Sequence, residues 1–197
     1  MLVLITSADI EHPLKEMRTE EYRETILWMK KNLGDNSLAW IECVRDNGSF
    51  IEEYNPVFYP NVNNPEFKNT GANWGKAVEE FILNHDIHEE FIAHVTGRYH
   101  LKDRYFFDTI EKNSEYDVFA KDDGHSQYFT GCFAIRKKYM IEWVNETDWD
   151  ELDTMMINFE KSFWNFVKNK NLNVFEVDKI NMDCNIFGRG NPQKIKI

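Results

Sequence analysis

Residues Asn69 to Leu101 read NTGANWGKAVEEFILNHDIHEEFIAHVTGRYHL. The segment opens on a polar stretch, Asn69, Gly71 and Asn73, which reads as a loop. Trp74, Ala77, Val78, Phe81 and Ile82 then recur at the spacing of one buried helical face. A short apolar run, Phe91 to Val95, has the length of a strand and stops at Thr96-Gly97-Arg98-Tyr99. The order is loop, helix, strand, polar tip. In open α/β sheets, ligands bind outside the carboxyl ends of the strands. Glycine at such a tip lets a ligand approach the backbone. An arginine beside it matches the oxygens of a phosphate or carboxylate with its planar fork.

On the amino-terminal side, Leu2 to Ile5 is an unbroken apolar run, the pattern of a parallel strand buried on both faces. It ends in Thr6-Ser7-Ala8-Asp9, either a ligand-facing tip or a solvated turn. Thr19 to Leu33 predicts a helix, with Thr19 as N-cap, Glu20 and Glu21 in the first turn and Gly34 as the stop. Leu38 to Val44 predicts a second strand. Asp46 follows in a turn, where it contacts a base or ribose or simply closes an Asx-turn. A short strand is expected near Val57 to Tyr59. His85, His88 and His94 lie close to Asp86, Glu89 and Glu90, but nothing matches HExxH, and a solvated helix end is the better account.

On the carboxyl-terminal side, Lys102 to Ile110 predicts a helix with Tyr105, Phe106 and Ile110 inward. Tyr116 to Ala120 predicts a strand. Lys121 to Ser126, KDDGHS, is a lid bearing Asp122, Asp123 and His125, or a plain hairpin connection. Tyr128 to Ile135 predicts a strand whose Gly131 marks a bulge or a close ligand approach. Trp149 to Asn169 is mostly helical, with Glu160 beside an apolar face. Leu172 to Val177 predicts a late strand. Asn185 to Gly190, NIFGRG, either closes over a phosphate or is a surface turn. Buried-type strands alternating with amphipathic helices predict one α/β domain over residues 1–197, with a mixed, mostly parallel sheet flanked by helices.

Composition narrows the function classes. The formal net charge of -11 disfavours nucleic acid and anionic membrane as partners. No apolar run approaches the roughly 18 residues of a membrane span. The first residues lack a basic region followed by a long apolar one, so no secretory signal is expected. Three well-separated cysteines, Cys43, Cys132 and Cys184, argue for reduced thiols and a cytoplasmic setting.

The central segment resembles the GT-A glycosyltransferases. In the large inverting branch of that fold, an N-x-G loop leads into a helix, and the next strand ends in a DxD-type motif that holds a metal and the donor diphosphate. Asn69-Thr70-Gly71 and Asn73-Trp74-Gly75 look like the loop, Ala77 to Leu83 like the helix and Phe91 to Val95 like the strand. Thr96-Gly97-Arg98-Tyr99 stands in place of the DxD, as in a small [TS]GRY-type group from bacteria and large DNA viruses. Met1 to Ser7 resembles the first strand, Arg18 to Ile26 its helix, Tyr128 to Arg136 (YFTGCFAIR) an acceptor-side strand, and Phe159-Glu160 the later acidic position. The resemblance covers most of the chain. It implies a Rossmann-like, nucleotide-sugar-dependent transferase with a carbohydrate or glycoconjugate acceptor. It implies donor contacts from Thr6, Ser7, Asp9, Asp46, Asn73, Lys76, Thr96, Gly97, Arg98 and Tyr99. Glu160 is the first candidate for the base, with Asp122 and Asp123 as alternatives. The missing DxD leaves the cofactor open: none at the strand tip, or a divalent cation, Mn or Mg, recruited by Asp9, Asp46 or another acid. A non-catalytic nucleotide- or carbohydrate-binding module is the alternative. A nucleotidyltransferase ranks below both, for want of a glycine-rich, lysine-bearing phosphate loop.

Overall fold

The computed structural model describes residues 1–8, 15–34, 37–61, 69–186 and 193–196. Asp9 lies outside them, as does most of the Asn185–Gly190 segment. The core is a seven-stranded sheet. Its strands are β1 (Leu2–Ser7), β2 (Leu38–Glu42), β3 (Val57–Phe58), β4 (Phe91–Thr96), β6 (Val118–Ala120), β7 (Cys132–Arg136) and β8 (Val174–Glu176). They run in the order β3-β2-β1-β4-β7-β6-β8. β7 is antiparallel to both of its neighbours, and every other pairing is parallel. A small second sheet joins β5 (His100–Leu101), β9 (Met182–Ile186) and β10 (Gln193–Lys196). The mixed, mostly parallel sheet is the one expected.

Period-2 alternation splits the side chains between two helical layers. Leu2, Leu4, Ile92, Phe133 and Ile135 point to one face. That face is covered by α2 (Thr70–Asn84), α4 (Lys137–Glu146), α5 (Trp149–Thr154) and α6 (Phe159–Asn169). Val3, Ile5, Ala93, Val95 and Ala134 point to the other, under α1 (Lys15–Leu33) and α3 (Tyr105–Lys112). The first layer is aromatic: Trp143 packs within 6.4 Å, ring centre to ring centre, of Trp74, Phe133, Trp149, Phe159, Phe163 and Phe166.

Several elements differ from their sequence-based form. α1 begins a turn early, because Lys15 to Arg18 are good helix formers, so Thr19 lies inside the helix rather than capping it. The polar stretch at Asn69 is not a loop. Asn69 is the N-cap of α2, its side chain accepting from the Gly71 N–H at 2.9 Å, and Gly71, Asn73 and Gly75 lie in the first turns. The two glycines are there for packing. A Cβ on Gly71 would lie 2.5 Å from Phe159 Cβ, and one on Gly75 would lie 2.3 Å from the Trp149 ring. Tyr105 points outward and is 48% exposed; Phe107 takes the inward place. The strand expected from Tyr128 begins only at Cys132, and α5 and α6 are separated at Met155 to Asn158. α4, whose Met140, Trp143 and Val144 turn inward, was not anticipated, nor were β5, β9 and β10.

Candidate active site

β1 is the point where the strand order reverses. The α1 crossover leads from β1 to β2 on one side, and α2 leads to β4 on the other. Such a switch point leaves a crevice beyond the strand ends. Here a cavity of about 580 Å³ opens there, within the range of about 300–1,000 Å³ usual for ligand sites. Thr6 and Ser7 at the end of β1 and Ala8 after it line it together with Thr96, the last residue of β4, and Arg98 and Tyr99 beyond it. Arg18 and Tyr22 of α1 reach the same space, as do Phe129 and Thr130 ahead of β7 and Met156 to Glu160 at the start of α6. The two strand tips thus open into one cleft.

The inner wall carries a buried histidine. Alternation along β4 turns His94 to the α2 face, where it is 2% exposed. The Trp74 indole N–H, which can only donate, lies 2.8 Å from His94 Nε2. Nε2 is therefore the unprotonated nitrogen. Nδ1 carries the proton and donates to the Thr130 carbonyl at 3.0 Å. The Thr6 hydroxyl lies 2.9 Å from Nε2 as a second donor. A protonated ring would set two N–H groups against each other. Burial, too, opposes the charge and pushes the His94 pKa down to about 3. The three histidines therefore separate. His85 ends α2, stacked on Phe81, and His88 is exposed near Asp86, whereas His94 helps to build the cavity wall.

The strand tips are held by polar contacts. Ser7 Oγ donates to the buried Glu42 carboxylate at 2.7 Å, and the Val44 N–H donates to its other oxygen at 3.1 Å. The Tyr22 hydroxyl accepts from the Ala8 N–H at 3.0 Å. Burial raises the Tyr22 pKa, while the Ala8 amide and the positive charges of Arg18 and Arg98 oppose the rise. Both guanidiniums also line the cavity, together with Tyr22. Arg98 also sits 5.3 Å from the centre of the Tyr99 ring. Gly97 is closely packed between β1 and α1. Its N–H donates to the Thr6 carbonyl at 2.9 Å, and a Cβ there would come 3.0 Å from that carbonyl and from the Tyr22 ring. Gly131 likewise makes room for protein. A Cβ on it would lie 2.2 Å from the Tyr99 ring, which stacks on Phe129 at 6.0 Å.

Glu160 stands in the first turn of α6, capped by Asn158, and lines the cavity. The Thr130 hydroxyl donates to its Oε1 at 3.1 Å. Since the Thr130 carbonyl takes the His94 proton, one chain of hydrogen bonds runs from Trp74 through His94 and Thr130 to Glu160. The other predicted site residues lie elsewhere. Asn73 is buried, its amide donating to the Cys43 carbonyl, which docks α2 against the end of β2. Lys76 pairs with Asp150 at 2.7 Å, between α2 and α5. Asp46 is exposed after β2. Asp122 and Asp123 lie in an exposed hairpin connection and accept from the Gly124 and His125 amides at 2.7 and 3.0 Å. None of these five lines the cavity. The residues that sequence reasoning missed are His94, Thr130, Tyr22 and Arg18. The signal for His94 was a polar residue breaking an apolar strand.

Glu160 is the one carboxylate among the described residues that line the cavity. Among the described residues, no three His, Cys, Asp or Glu side chains gather into a metal-binding group. Hard divalent cations at such sites take oxygen ligands from one or two carboxylates together with substrate phosphates, and Glu160 is the described lining residue that could supply one. Cys43 and Cys132 are buried, and their thiol pKa values are raised by that burial, which leaves them unreactive. Among the described residues, no helix is long and apolar enough to cross a membrane.

No protein-family model matches the sequence, and no curated protein matches it. Solved structures do resemble the fold. A protein described as a nucleotide-diphospho-sugar transferase, from Desulfovibrio desulfuricans G20, is similar with a TM-score of 0.56 and 12% identity, covering 89% of this chain and 78% of its own. The nucleoside-diphosphate-sugar pyrophosphorylase from Vibrio cholerae RC9 gives 0.55 and 12%, covering 89% and 91%. A glycosyltransferase involved in glycosylation of the major capsid of PBCV-1 gives 0.54 and 11%, covering 90% and 82%. At such identities the likeness is one of fold: the chain has the α/β architecture common to GT-A glycosyltransferases and sugar nucleotidyltransferases.

Proposed function

We propose that the protein is a glycosyltransferase of the [TS]GRY type, moving a sugar from a nucleotide-sugar donor to an acceptor hydroxyl. The observation that carries the reading is the shared cavity. A carboxylate from α6 and two guanidiniums, from α1 and the β4 tip, converge on it at the switch point of the sheet. The reaction needs a base for the acceptor and positive charge for the departing diphosphate. Glu160 takes the proton of the acceptor O–H. That oxygen bonds to the anomeric carbon. The bond from that carbon to the diphosphate breaks, and its electron pair stays on the leaving oxygen. Arg98 and Arg18 offset the charge that develops there. No step is routed through a metal.

The fold is also that of nucleotidyltransferases, so the assay must identify the released product. Purified protein is incubated with UDP-, GDP-, CDP- and dTDP-sugars, with manganese and with chelator. Nucleoside diphosphate release that persists in chelator and drops by about tenfold or more in Arg98→Ala is expected, a charged hydrogen bond contributing roughly 1.5–3 kcal/mol. A parallel incubation supplies nucleoside triphosphates with sugar 1-phosphates; pyrophosphate release there, without nucleoside diphosphate release from the NDP-sugars, makes it a nucleotidyltransferase. Donor-dependent thermal stabilisation without any turnover makes it a binding module. An Arg98→Ala protein as active as wild type defeats the arginine's role.

A further inference from the structure

We infer that the acceptor carries an apolar group, alkyl or aryl, beside its reacting hydroxyl, and that Met156 and Ile157 form the subsite for it. The inference rests on the transferase reading for the word acceptor, and on separate observations for the subsite. Met155, Met156 and Ile157 are 67%, 61% and 39% exposed, and the last two line the cavity immediately before Phe159 and Glu160. Met156 has φ +51°, in the left-handed region. The other described non-glycine residues with positive φ are Ser126, Asn171 and Asn181, small and polar. Asparagine tolerates that region because its short side chain bonds locally, and methionine gains nothing of the kind. So position 156 combines an unfavoured backbone with an exposed apolar side chain. Folding and solubility would both favour Asn or Gly there. Strain kept against such an alternative points toward use by a ligand.

The exposure is not fraying. The Ile157 N–H donates to Leu152 O at 3.0 Å, the Met156 N–H donates to Asp153 O at 3.2 Å, and the Asn69 amide donates to Ile157 O at 2.8 Å. The segment is pinned to two helices with its side chains held outward. Glu160 has apolar as well as polar neighbours in the lining. Phe159 precedes it, and Phe129 adjoins the Thr130 that donates to it. The arginines, by contrast, gather with Tyr22 and the β1 tip. The lining thus offers two guanidiniums for a diphosphate and, at Met156 and Ile157 close to Glu160 in the chain, exposed apolar surface for an acceptor. Methionine suits such a surface, being flexible and polarizable. A hydrophilic saccharide bearing no apolar group would gain little from it.

The test compares methyl and octyl glycosides of glucose, galactose and mannose, the octyl compounds below their micelle concentrations. Binding is followed without donor by tryptophan fluorescence, since Trp74 lines the cavity. Transfer is then followed with the nucleotide-sugar panel. Wild type should prefer octyl to methyl by about tenfold, the worth of partly burying one large apolar side chain. Met156→Asn should lose most of that preference while unfolding cooperatively at an equal or higher temperature, which separates lost binding from lost fold. Ile157→Ser should act in the same direction. Equal binding of methyl and octyl compounds, or a preference untouched by Met156→Asn, overturns the inference. So does concentration-dependent dimerisation, or binding to phosphatidylcholine vesicles, that Met156→Asn abolishes, since either gives the apolar rim another occupant. Retained octyl preference without transfer from any donor refutes the transferase reading and leaves the apolar subsite standing.

Discussion

Acidification should destabilise this protein through His94 in a way that can be isolated. The folded chain holds His94 neutral, because its Nε2 must accept from the Trp74 indole and because burial pushes its pKa down to about 3. In the unfolded chain, the same imidazole titrates near 6.5. Above that pH both states are neutral, and the residue contributes no pH dependence. Below it the unfolded chain binds a proton that the folded chain does not, so stability falls as pH falls, down to the folded pKa. From about 6.5 to 5 the gap is 1.5 units, and at about 1.36 kcal/mol per unit this costs about 2 kcal/mol. The carboxylates add their own pH dependence, which a variant shares. Urea unfolding of wild type and His94→Gln at pH 7 and pH 5 therefore isolates the residue in the difference between the two losses. Wild type should lose about 2 kcal/mol more than the variant. Equal losses would mean that His94 takes up its proton in the folded state, and the assigned hydrogen-bond directions would be wrong.

Glu160→Gln keeps an oxygen for the Thr130 hydroxyl but no base, so donor-induced stabilisation should persist while turnover falls by about a hundredfold or more; an unchanged turnover number rules the residue out. Gly75→Ala should gain about 1 kcal/mol of helix propensity yet lose more, because its Cβ would lie 2.3 Å from a Trp149 ring tied by its N–H to Val144 O. A lowered melting temperature is expected, and a raised one refutes the packing account. Gly131→Ala should displace Tyr99, whose ring lies 2.2 Å from the new Cβ, and so weaken nucleoside diphosphate binding in a thermal-shift titration. Undiminished binding would show that Tyr99 only fills space.

Much of the fold was legible because it rests on periodicity. Leu2 to Ile5 is apolar on both faces and Phe91 to Val95 nearly so, His94 being the exception, and only a two-sided cover explains that. The placement of Arg98 beside the β1 tip followed from the same logic. What escaped depended on partners distant in sequence. Gly71, Gly75, Gly97 and Gly131 all look like ligand glycines in isolation. Each also makes room for a side chain or carbonyl from another element, which the sequence alone does not reveal: Phe159, Trp149, Thr6 with Tyr22, and Tyr99. The acids at Asp122 and Asp123 were plausible by composition alone, but a hairpin connection keeps them outside the cavity. Short strands such as β5 carry too few residues for a period to register. α4 did carry one, in Met140, Trp143 and Val144, and was legible but unread.

Asn69 caps α2, but its amide and backbone N–H also donate to Leu152, Ile157 and Asp153, residues 83 to 88 positions further along. That wiring bears on the order of assembly. Contacts closing such long loops form late in folding, after local helices and neighbouring strands. α2 can acquire its cap early, since the Gly71 amide needs only the Asn69 side chain, whereas the rim around Met156 and Glu160 is fixed only once the last third of the chain has docked. Pulse-labelled hydrogen exchange during refolding would report both events, with the Gly71 amide protected first and the Asn69 backbone amide, which donates to Asp153, behind it. A nascent chain halted before α6 would then hold the β1–β4 crevice with one wall still missing, the wall that carries Glu160.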